Sequence, residues 1–123
     1  MILSYNPHQN PDAEAWLAMD DGEKSILVQD YHETKGIEIE GMRMHCSIHV
    51  AVENQLALKV PEVVIAYRKL RQKNVTRHNA LHAIGNVFAV FFYDIMKGNE
   101  MDDKTEKEYH RRLKKIRPSE WKE

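Results

Sequence analysis

The chain carries one cysteine, Cys46, in 123 residues. It cannot form a disulfide with itself, so the fold must stand on packing, and a reducing compartment is the simpler expectation. Five glycines are scattered singly, which excludes a glycine-rich phosphate loop; no nucleotide cofactor is expected. Long apolar runs are missing too. The longest, around Val87 to Tyr93, is far short of the roughly 20 residues a membrane-spanning helix needs. The first residues show no charged-then-apolar order ending in a small-residue cleavage site, as a secretion signal would. An excess of one charge is also absent: a net charge of -1 and a pI near 6.7 give no field that would draw nucleic acid or an anionic membrane. The expectation is a soluble, cytoplasmic protein with neither of those partners.

What is present is an ordinary globular composition, 42% hydrophobic and 30% charged, enough for one core that buries about two-thirds of the unfolded surface. Residues 1–10 have no helical or strand period and read as an N-terminal arm. Asn10-Pro11 then offers a cap and a first helical position, opening a short helix anchored by Trp16 and Leu17. Asp20 to Glu23 has the form of a capping box and starts a second helix to about Thr34, with Leu27 and Tyr31 on one face. Ile37 to Glu40 alternates apolar and acidic residues but is too short and solitary for a strand, so it reads as a connector.

A third helix is expected from Met42 to about Lys59 and a fourth from Pro61 to about Lys73, the latter directing Val64, Ile65, Leu70 and Tyr67 inward. Thr76 caps a fifth helix that reaches Lys97 and closes at Gly98. It is apolar around most of its girth, from Leu81 through Phe88, Phe91 and Phe92 to Met96, and is the natural central helix. Its surplus apolar surface would also suit a homodimer seam. Residues 11–98 thus form a helical core domain. Residues 99–123 form a charged C-terminal helix and tail, with Tyr109, Leu113 and Ile116 on one stripe and a short tail from Arg117. The fold class is all-α, a compact bundle of five to six helices with short connectors.

Four of the seven histidines fall in two phrases, His45-x-x-x-His49-x-x-x-Glu53-Asn54-Gln55 and Arg77-His78-x-x-x-His82. A four-residue step stacks side chains on one helical face, so each phrase can offer two ligating groups to one point. At 100° per residue, His45, Ile48, His49, Val52 and Leu56 share a side of the third helix, with Glu53 at its margin. His78 and His82 flank the stripe of Leu81, Gly85, Phe88, Ala89 and Phe92 on the fifth. Neutral imidazoles with a carboxylate suit a transition metal, zinc or iron, held between these two helices.

The first ligands are His49, His78 and His82, with Glu53 as the anionic member. His45 is either a fifth group or one turn too early, His32 is a reserve candidate, and Asn54 and Gln55 would orient the ligands from behind. The bland alternative is a metal-free interaction or dimerisation module whose core histidines are satisfied by Asn54, Gln55, Asn79, Asn86 and backbone carbonyls. Neither reading names a substrate or a reaction.

Other sites are weaker. Cys46 points about 100° away from His45 on a helix and reads as a small buried thiol. No elbow sequence supports a serine nucleophile. The basic run Arg111, Arg112, Lys114, Lys115 and Arg117 is offset by Glu100, Asp102, Asp103, Glu106 and Glu108, and reads as a solvated helix rather than a nucleic-acid site.

The phrase His49-x-x-x-Glu53-Asn54-Gln55-Leu56, followed by Arg77-His78-x-Ala80-x-His82-Ala83-Ile84-Gly85, resembles the signature of a bacterial family of small proteins classed as a domain of unknown function. Trp16, Glu23 and Tyr31-His32 fit it as well, over roughly residues 11–98. The resemblance implies that these residues belong to a shared design and carries no activity with it. HxxxE followed by HxxxH is also similar to part of the hemerythrin-like pattern, but that pattern ends in HxxxxD, whereas His110 is followed at the fifth position by Lys115. The ferritin-type ExxH is absent. One ion is therefore expected rather than two.

Overall fold

The computed structural model describes residues 2–98 and 101–117, and it describes the side chains of all of these except Tyr93, Asp94 and Met96. The rest of the tail expected from Arg117 onward, and the Met96 side chain expected on the apolar face, lie outside the described residues. Six helices and no strand are found among those described: α1 Ala13–Leu17, α2 Asp21–Thr34, α3 Met42–Ala57, α4 Pro61–Gln72, α5 Arg77–Met96 and α6 Asp103–Lys114. None is long and apolar enough to cross a membrane.

The helix starts follow from side-chain acceptors that satisfy otherwise orphaned backbone donors. Asp20 Oδ1 accepts from Glu23 N at 2.8 Å and Asp102 Oδ1 from Thr105 N at 2.8 Å. Thr76 Oγ1 accepts from Asn79 N at 3.2 Å at the head of α5. At α1 the cap is Asp12, whose carboxylate accepts from Ala15 N at 3.0 Å, and not the expected Asn10. The Asn10 side chain is engaged elsewhere, accepting from Arg77 Nε at 2.8 Å.

Trp16 is fully buried, whereas Leu17, expected beside it, is 38% exposed; neighbours on a helix point about 100° apart, and the larger ring takes the interior. The inward face of α4 also differs from expectation. Val63, Ala66 and Leu70 are buried and Ile65 is 64% exposed. Three consecutive aliphatics at 63–65 leave the phase of the stripe open, and the spacing back from Leu70 selects 66 and 63.

Two apolar clusters result. The larger joins Val52 of α3, Val63 and Leu70 of α4, Leu81, Ile84, Phe88, Phe91 and Phe92 of α5, and Tyr109, Leu113 and Ile116 at α6. The smaller holds Tyr5, Trp16, Val28, Cys46 and Val50. Both terminal segments thus take part in packing. Much of the girth of α5 is covered by α3, α4 and α6 of its own chain.

One glycine decides the spacing at the centre. A Cβ on Gly85 of α5 would lie 2.9 Å from Ile48 Cγ2 of α3, closer than real Cβ contacts come. Glycine inside a helix costs about 1 kcal/mol relative to alanine, and here it permits the close approach that brings the histidine-bearing faces of α3 and α5 together.

Candidate metal centre

Three helices supply four imidazoles to one point. His32 comes from the last turns of α2, His49 from the middle of α3, and His78 and His82 from successive turns at the start of α5; each offers a ring nitrogen, and these nitrogens all lie within 4.8 Å of one another. Four histidines therefore lie close enough to hold a metal ion. The rings of His78 and His82 have centroids 4.3 Å apart, and His49 sits 5.3 Å and 5.2 Å from them.

Burial makes this grouping chemically demanding. His32 and His49 are 1% and 3% exposed. The Nε2 atoms of His49, His78 and His82 are buried without a hydrogen-bond partner. A buried polar atom left unsatisfied costs roughly 1–3 kcal/mol, and three in one place set this point apart from the rest of the interior among the described residues.

The surrounding hydrogen bonds assign the tautomers. His32 Nδ1 lies 2.8 Å from the Val28 carbonyl oxygen, which can only accept, so Nδ1 carries the proton and Nε2 keeps a lone pair. For His49 the assignment runs through three residues. Arg77 Nη2 and Nη1 donate to Glu53 Oε1 and Oε2 at 2.7 and 2.9 Å, a two-point pair with both partners buried. The Tyr5 hydroxyl donates to Glu53 Oε2 and lies 3.0 Å from His49 Nδ1. With its one proton committed to the carboxylate, the phenol oxygen accepts from His49 Nδ1–H, and His49 Nε2 is left as a lone pair facing the other imidazoles. This is the arrangement in which a ligand's far nitrogen is anchored from behind.

The same surroundings keep His49, His78 and His82 neutral. Burial, then the neighbouring His82, His45, His78 and His32, hold His49 well below the ordinary histidine value. His78 is pushed down to about 3, by burial first and then by His82, His8, His32 and His45. Burial, with His32 second, lowers His82. Tyr5 is raised, by burial and then by the Glu53 carboxylate, and remains a phenol.

The expected site residues are distributed unevenly. His32, named only as a reserve, belongs to the group of four. His45 stands at its edge, with Nε2 3.2 Å from His32 Nε2, and burial with His82 and His32 lowers it to about 4. Glu53 is outside the group: its oxygens face Arg77 and Tyr5, so it meets His49 only through the phenol. Asn54 Oδ1 accepts from Trp16 Nε1 and from the buried Lys24 Nζ, both at 2.9 Å. Gln55 Oε1 accepts from the Tyr109 hydroxyl at 2.6 Å. Neither amide contacts a histidine in these bonds.

Tyr5 and the role of Arg77 are what residue patterns did not supply. The arm that carries Tyr5 has no period, so nothing local ties it to α3. Arg77 was visible as the basic neighbour of His78. Its pairing with Glu53, the acidic neighbour of His49, is the one signal that opposite charges beside two matched phrases could have offered.

A cavity of about 220 Å³ opens beside the cluster, lined by His45, His49 and His82 with Ile48, Leu81 and Asn86. On the basic C-terminal helix, Glu108 accepts from Arg111 Nε at 2.9 Å and Arg112 Nε at 3.2 Å, so part of that charge is paired within α6.

No curated protein and no solved structure matches the chain. A family model does, over residues 8–115, a span that takes in all six helices and every histidine of the cluster. The chain belongs to the family described as a domain of unknown function (DUF1841).

Proposed function

We propose that this protein binds one transition-metal ion, zinc or iron, through His32, His49, His78 and His82. The observation that carries the reading is the set of three buried, unpartnered Nε2 atoms on His49, His78 and His82, gathered beside His32, whose own Nε2 lone pair has His45 Nε2 at 3.2 Å. A divalent ion with bonds of about 2.0–2.1 Å to imidazole nitrogen satisfies all four donors after small ring rotations. In this reading Glu53 acts through Tyr5 as the anchor behind His49, and Arg77 fixes Glu53. The competing metal-free reading gives the histidines only a packing role, in which case the three nitrogens stay unsatisfied.

The test is metal analysis of protein made without a histidine tag, after supplementation with zinc or iron. About one equivalent is expected. Less than about 0.2 equivalents would sink the proposal, since a site of this kind binds with an apparent free energy of order 10 kcal/mol. His82→Ala should retain the helical fold and lose most of the ion.

A further inference from the structure

The metal reading leaves a charge unaccounted for, and the inference here rests on that reading. The donor group consists of four histidines and, among the described residues, no carboxylate. The nearest buried anion, Glu53, has its charge matched by the two-point contact with Arg77. A divalent ion in this cage would hold two positive charges in a buried setting with no anion beside them. Buried charge is strongly unfavourable unless paired.

The cavity supplies the route by which that charge can be met. Two of the four candidate ligands, His49 and His82, line it, and their buried Nε2 atoms are two of the three unpartnered ones. Its floor is apolar, from Ile48 and Leu81, and Gly85 adds no side chain to narrow it. Asn86 is exposed at its mouth with amide donors. At about 220 Å³ it is smaller than the roughly 300–1,000 Å³ of pockets that take drug-sized ligands.

We infer that the cavity between α3 and α5 admits a small organic monoanion to the metal, a short-chain carboxylate being the class that fits. The carboxylate would add as a further ligand, and its alkyl tail would lie on Ile48 and Leu81. Zinc and its neighbours in the first row accept a fifth ligand beyond four. The site would thus be open to exchange on one side and closed by α2 and the arm on the other.

Cobalt(II)-loaded, tag-free protein gives a visible spectrum that reports on coordination. Titration with acetate and with butyrate should each produce a saturable spectral change in the millimolar range, with butyrate several-fold tighter because two more methylenes leave water. Asn86→Trp, at an exposed position of α5, fills the mouth and should weaken butyrate at least tenfold with cobalt stoichiometry and thermal unfolding unchanged. If cobalt binds but neither carboxylate alters its spectrum, or if Asn86→Trp binds butyrate as the parent does, the inference is overturned while the metal site stands. Failure to take up cobalt, zinc or iron overturns both.

Discussion

The two halves of α5 are built from opposite materials. Its C-terminal half presents Phe88 and Phe91 to Tyr109, with ring centroids at 5.5 and 5.9 Å from the phenol, and packs Phe92 against Phe88. There, contact and exclusion of water are the main requirement, and the Tyr109 hydroxyl among the rings has Gln55 as its acceptor. The N-terminal half buries Arg77 and half-buries His78 and His82, whose Nε2 atoms are fully enclosed, in a setting where hydrogen bonding is elaborate on the outside and incomplete at the centre. A protein that needed only a stable bundle could have continued the aromatic packing to the first turn. The difference separates a region held by apolar burial from one held by polar groups that converge on a point.

The sharpest way to break that comparison is a pair of substitutions of similar size and different consequence. Phe88→Ala should cost about 3–5 kcal/mol of stability, read by urea unfolding, and leave metal stoichiometry unchanged in the folded fraction. Glu53→Ala should cost a similar 3–5 kcal/mol, because it strands the buried Arg77 charge, and should also weaken metal binding. Equal metal affinity in the two variants would erase the distinction between the halves.

Tyr5→Phe is the finer cut. It removes the link between Glu53 and His49 while keeping the ring that packs against Trp16 with centroids 5.6 Å apart. A loss of about 10–100-fold in metal affinity is expected, the range for a partner that orients a ligand from behind; stability should fall by about 1–2 kcal/mol. Competition with a chromophoric chelator measures the first and thermal unfolding the second.

Acid should act first on the histidine end. His45 and His78 have folded values of about 4 and about 3, below the roughly 6.5 of an unfolded chain. A depressed value means that the unfolded state takes up protons first, so this contribution to stability is intact above about pH 6.5 and drains away as pH falls toward 3. Metal-free protein should therefore lose stability steadily over that window, and bound metal should be released within it. A flat unfolding midpoint from pH 7 to 4 would contradict the burial of neutral imidazoles. The smallest effect belongs to the solvent face: Ile65→Ser, at a side chain 64% exposed, should change stability by less than about 0.5 kcal/mol and leave the metal untouched.

Much of this architecture could be read in the residues, and the limits have physical causes. Helical spacing in His45, His49, His78 and His82 brought two faces together on paper because i to i+4 geometry is local. Glu53, Asn54 and Gln55 were harder: three adjacent polar residues leave the helix about 100° apart and here reach Arg77, Trp16 with Lys24, and Tyr109 in three directions. A wheel places them but cannot say which neighbour each will meet. The stripe of α2 shows the same limit. Leu27 and Tyr31 do share a face and are partly buried, yet its centre is Lys24, Val28 and His32, where a lysine and a histidine are buried because Asn54 and the Val28 carbonyl await them. Tyr5 was out of reach for a different reason, since its partners are more than 40 residues away and its own segment has no regular structure.

That separation bears on how the protein is made. The Arg77 guanidinium also donates to the Pro7 carbonyl, a contact spanning 70 positions of chain. During synthesis the arm leaves the ribosome ahead of the residues that hold it, Glu53 and then Arg77. Until they arrive, Tyr5 has no carboxylate to bond and His49 no fixed tautomer. The arm, though made before them, is thus among the last segments to find its place, closing over α3 and α5 only once they are paired.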